Sequence, residues 1–171
     1  MTMTLLRSVT LAALLLTGSA ALAADALPDA IAAPGETVVL TLHAVGAQVY
    51  ECKPVTDGKL AWSFREPVAT LIEGGRTIGR HYAGPNWEHV DGSAVTGRTA
   101  GTAPGATAAD IPWLKLIVIA HRGEGVLSTV TTVQRINTSG GQLDGACDKP
   151  GALTSAAYSA DYVFLRKSEG H

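Results

Sequence analysis

From Thr37 onward the chain repeats apolar and polar positions with a period of two, and the run "TVVLTLHAVGAQVYEC" is dense in β-branched and aromatic residues. That composition suits a pleated, half-buried surface. Val38, Leu40 and Leu42 share one face of the predicted strand, and Val39, Thr41 and His43 share the other. Gly46 divides the run into two strand-length pieces. "LAWSFREPVATLIEGGRTIGRHY" continues the pattern, punctuated by Pro67 and by Gly74-Gly75, which predicts a hairpin turn between Ala69 to Ile72 and Arg76 to Tyr82.

Thr96 to Pro112, "TGRTAGTAPGATAADIP", has no apolar periodicity and reads as a surface loop. "WLKLIVIA" is apolar on both faces and predicts a central strand; "HRGEG" is a turn, and "VLSTVTTVQRI" is the partner strand. A second long loop, "NTSGGQLDGACDKPG", leads to "AYSADYVFLR", where Tyr158, Ala160, Tyr162 and Phe164 fall on one side and Ser159, Asp161, Val163 and Leu165 on the other. This is a closing strand. Seven to nine short strands, with no helical period after the N-terminal segment, predict an all-β fold. The expected architecture is one antiparallel β-sandwich or barrel, a single domain over residues 24–171.

The first residues follow a different logic. "MTMTLLRSVTLAALLLTGSAALA", Met1 to Ala23, carries one arginine, a short apolar core and small closing residues, the pattern of a secretory signal peptide. Its core falls short of the ~20 apolar residues that span a bilayer. The predicted mature protein is therefore periplasmic or secreted, with no membrane span after cleavage. It keeps twelve Lys plus Arg against fifteen Asp plus Glu, with no basic run, which argues against a nucleic-acid partner. Its two cysteines, Cys52 and Cys147, meet an oxidising compartment, and one disulfide is expected. A thiolate metal site is the weaker alternative, because neither cysteine sits in a C-x-x-C pair or near a histidine at ligand spacing.

Candidate chemistry concentrates in "GRHYAGPNWEHVDGSAV", Gly79 to Val95. His89-Val90-Asp91 places two ligand-type side chains on one strand face, and His43, His81 or His121 could complete a 2-His-1-carboxylate metal site. The same letters also read as turn grammar. Gly84-Pro85-Asn86 and Asp91-Gly92-Ser93 are turns, Asp91 accepts from backbone N–H groups, and Trp87 supplies buried area between them. A third reading makes Arg80, His81, Tyr82 and Trp87, with His89 and Asp91, a binding surface for a glycan or small molecule. No G-x-S-x-G elbow, Walker A loop, H-E-x-x-H or strand–GxGxxG–helix unit is present, so no catalytic residue, resident metal or cofactor is assigned.

Five phrases taken in order, "LHAVGAQVYEC", "GRHYAGPNWEHVDGSAV", "IPWLKL", "VTTVQRINTSGG" and "YSADYVF", resemble the DUF3455 family, secreted or periplasmic proteins of bacteria and fungi without an assigned function. The resemblance spans nearly the whole mature chain and implies that Cys52 and Cys147 form the family's disulfide. It carries over no catalytic or binding residue. The expectation is thus an exported, non-enzymatic module that binds a small molecule or a cell-envelope polymer through Gly79 to Val95. The alternative is a small metal-dependent enzyme using His89, Asp91 and a distal histidine.

Overall fold

Eight antiparallel strands follow one another around a closed barrel in chain order. They are β1 (Glu36–Pro54), β2 (Leu60–Glu73), β3 (Arg76–Tyr82), β4 (Asn86–His89), β5 (Ala94–Ala103), β6 (Trp113–Arg122), β7 (Thr132–Gly140) and β8 (Leu153–Lys167). The computed structural model describes residues 27–168, so the predicted signal peptide, residues 1–23, lies outside the described residues. The all-β class expected from the alternation is the one observed, and barrel is the form it takes. β8 closes the sheet on β1 from Glu36↔Lys167 to Glu51↔Leu153, which leaves no open sheet edge. No helix among the described residues is long and apolar enough to cross a membrane.

Gly74 and Gly75 make the predicted turn between β2 and β3, both with positive φ, as the tight two-residue hairpin demands. Cys52 and Cys147 form a disulfide that ties β1 to the loop before β8.

Three stretches differ from the sequence reading, each for a steric reason. β1 runs unbroken through Gly46, because the absent side chain lets β2 cross close by: a Cβ there would collide with the Val68 carbonyl and the Ala69 backbone. Residues 96–103, read as loop, belong to β5. Their apolar signal is missing because two positions must stay small: Gly97 faces Trp87 and Leu116 inside, and Gly101 lies outside under the backbone of the 3-10 turn Asp29–Ile31. The strand predicted from Val126 starts only at Thr132. Leu127 and Val130 instead turn inward from the β6–β7 connection and join Leu42, Leu71, Val133 and Phe164 in the core.

That connection plugs one end of the barrel. At the other end the β3–β4 turn, residues 104–112 and residues 141–152 surround an opening, which fixes where a ligand could enter.

Candidate functional site

The inner face at the open end encloses a cavity of about 570 Å³. Eight-stranded barrels are just wide enough to be filled by side chains or to hold one small ligand, and this one is filled at its plugged half only. The strands alternate, so each contributes every second residue to the wall. β1 supplies Gln48 and Tyr50, β2 supplies Trp62 and Phe64, β3 and β4 supply His81 and Trp87, and β6 to β8 supply Leu114, Arg135 and Tyr162.

The floor is an aromatic stack. His81 lies against Trp87 at 4.6 Å between ring centroids, and Tyr162 meets both rings, at 4.9 and 5.4 Å. Phe164 backs Trp87 from the core side. His81 Nδ1 donates to the Asn86 carbonyl at 2.8 Å, which fixes the tautomer and leaves Nε2 unprotonated in the neutral ring. Burial holds the imidazole neutral by lowering its pKa to about 4, against the opposing pull of that hydrogen bond. Burial likewise pushes the phenols of Tyr158 and Tyr162 up, so both remain protonated hydroxyls, 3.3 Å apart.

Two further polar groups border the cavity without partners. Among the described residues, Gln48 Nε2 and Trp87 Nε1 are buried donors that meet no acceptor, although their residues are only 2% and 1% exposed. Buried donors of this kind are rare in folded proteins. Tyr50 is the contrast: its hydroxyl donates to the Gly141 carbonyl and accepts from the Leu143 N–H, so it serves as a braced wall holding the 141–152 loop.

The sequence candidates divide between the two faces of β3 and β4. His81 and Trp87 point into the barrel and border the cavity. Arg80 and Tyr82 lie on the outer face, where Arg80 bonds the Glu88 carboxylate at 3.0 and 3.1 Å, Tyr82 donates to it at 3.1 Å and Arg122 at 2.7 Å. The Arg80 guanidinium also sits 5.0 Å over the Tyr82 ring. These contacts hold the Glu88 carboxyl below its usual pKa, the Arg80 hydrogen bond foremost.

Asp91 organises the plugged end. Its Oδ1 accepts from the Ser93 N–H at 2.9 Å and the Ser93 hydroxyl at 2.6 Å, and its Oδ2 accepts from the Val126 N–H at 2.8 Å. The Ser93 hydroxyl in turn accepts from the Leu127 N–H. Partial desolvation raises the Asp91 pKa, but the donors from Ser93, Val126 and His89 outweigh it and leave the carboxyl well below the usual range. His89 Nδ1 stands 3.1 Å from Asp91 Oδ2. The distal histidines are engaged elsewhere: His43 with Asp161, His121 with the Val130 carbonyl, His81 in the aromatic stack. Among the described residues no three metal-ligating side chains come together.

Sequence reasoning did not single out Gln48, Tyr50, Arg135 or Tyr162. The available signal was polar residues at inward positions of apolar strands: Gln48 follows Leu42 and Ala44 on the inner face of β1, and Arg135 follows Val133 on β7. No curated protein and no solved structure matches the chain. A family model described as a protein of unknown function, DUF3455, matches residues 33–166, which take in all but the last residue of the eight-stranded barrel, and the chain belongs to that family.

Proposed function

We propose that this protein is a non-enzymatic binding module that takes one small, largely apolar molecule into the open end of its barrel. The observation that carries the reading is the 570 Å³ cavity itself, within the range of small-molecule sites and walled by Tyr50, Trp62, Phe64, Trp87 and Tyr162. Aromatic walls with a few placed polar groups are what such sites need to bury and orient a ligand. On this reading the Gly79 to Val95 segment contributes through its inner face, His81 and Trp87, while Arg80, Tyr82, His89 and Asp91 hold the scaffold around it. The disulfide and the leader-like N-terminus support action outside the cytoplasm, in a periplasm or beyond the cell.

Titration with the neutral fluorescent probe N-phenylnaphthylamine tests the reading. Saturable, blue-shifted emission at one probe per chain is expected, weakened in Leu114→Trp, whose added bulk enters the cavity. A folded protein that gives no saturable emission change would sink the reading.

A further inference from the structure

The charges facing the cavity do not balance. Arg135 lies half-buried at an inward position of β7, where Val133 before it is core. Its Nε and Nη2 donate to the Pro112 carbonyl at 3.1 and 2.8 Å, which orients the guanidinium and uses part of its donor set. Among the described residues, no carboxylate stands within 4 Å of it, although Arg65, Arg80 and Arg122 each have one. A partly buried cation without a counter-ion is costly, so its position calls for a compensating anion.

The neighbours add donors and few acceptors. Gln48 Nε2 and Trp87 Nε1 border the same cavity unpartnered, while the Tyr162 hydroxyl is shared between Tyr158 and Arg135. His81 brings no charge, since its ring is neutral at ordinary pH. Among the described residues, the one carboxylate that borders the cavity, Asp144, is exposed at the rim and accepts from Gln142 Nε2. A ligand entering this end therefore meets aromatic side chains together with an oriented guanidinium that has spare donors.

Resting on the cavity reading above, the geometry points to an organic acid as the ligand class: a planar, ring-bearing body that stacks against Trp62 and Phe64, with a carboxylate held by Arg135 and completed by the Gln48 amide. A planar carboxylate matches the fork of a guanidinium, and hydrogen bonds between charged partners are about twice as strong as neutral ones. A neutral amide of the same shape keeps the stacking and loses the ion pair.

The test is displacement of N-phenylnaphthylamine from the wild-type protein by naphthoate and by its isosteric neutral amide, naphthamide, at neutral pH. Naphthoate is expected to displace the probe at a concentration at least about tenfold lower than naphthamide. In Arg135→Gln, with its fold checked by circular dichroism, that preference shrinks to within about threefold, each competitor being read against the variant's own affinity for the probe. Equal displacement by acid and amide in the wild type overturns the acid assignment and leaves the cavity reading standing. Failure of the probe itself to bind overturns both. The wild-type comparison decides the question even if the Arg135 variant does not fold.

Discussion

The imidazole of His81 lies flat on the indole of Trp87, tilted only 9° from it, and the two residues sit opposite each other on β3 and β4. This pairing joins the floor of the cavity to the core, because Trp87 is also packed edge-on by Tyr162 and Phe164. A single stack thus sets the depth to which a ligand can enter. It also places a titratable group where water is excluded.

Burial lowers the His81 pKa from 6.5 to about 4, so the unfolded chain binds more protons than the folded one between those values. Stability from this group is complete above about pH 6.5, falls as the pH drops, and is fully lost near pH 4, a change of roughly 3 kcal/mol. His81→Phe keeps a ring on Trp87 and removes the titration. Urea midpoints measured from pH 7 to pH 4 should fall more steeply for the wild type than for the variant. Parallel slopes would show that the ring is not buried as described.

Asp91 is predicted to act as a clasp. Asp91→Ala removes the acceptor for the Ser93 and Val126 N–H groups and indirectly frees the Leu127 N–H by releasing the Ser93 hydroxyl. Amide hydrogen exchange should quicken at Ser93, Val126 and Leu127 while the centres of β1 and β8 stay protected. Metal chelation should not reproduce that pattern. If a chelator loosened the same amides in the wild type, the clasp would need an ion to work.

The barrel was legible in the sequence wherever inward positions carry apolar side chains, as in Tyr158, Ala160, Tyr162 and Phe164 of β8, all buried. It was illegible in β5, where Gly97 and Gly101 are small to admit neighbours, since alternation cannot register a side chain that is absent. The Gly79 to Val95 segment was found by its composition, but composition cannot tell which face of a strand looks inward. Arg80 and His81 are adjacent letters on opposite faces. Arg135 escaped notice because its meaning depends on which carboxylates are near it, and those come from other strands and loops.

The disulfide supports the cavity rim as well as the fold. It anchors the loop whose Leu143 and Asp144 border the opening, the same loop that Tyr50 holds through two hydrogen bonds. Cys52→Ser with Cys147→Ser should lower stability by about 4 to 5 kcal/mol on the chain-entropy estimate for a bridge spanning 95 residues. Below the unfolding transition the variant should also release N-phenylnaphthylamine faster, because the rim then hangs on hydrogen bonds alone, those of the Tyr50 hydroxyl and the backbone bonds between Trp62 and Gly145 and between Cys147 and Leu60. An unchanged dissociation rate would assign the disulfide to global stability alone.

Neighbouring aromatic residues on β3 and β4 should behave in opposite ways. Trp87 is 1% exposed and walls the cavity, so Trp87→Ala empties part of the core and should destabilise by about 3 to 5 kcal/mol. Trp87→Phe keeps a ring beneath His81 and should fold, yet weaken probe binding by removing wall area and the indole N–H. Tyr82 packs outside against Arg80 and Glu88, where charges remain in reach of water. Tyr82→Ala should therefore change stability by about 1 kcal/mol or less and leave probe binding intact. The pair is decisive because both residues come from one aromatic-rich segment and differ chiefly in the face they occupy. If Tyr82→Ala weakened the probe as much as Trp87→Phe, the ligand would be binding the outer face, and the inner cavity would lose its claim.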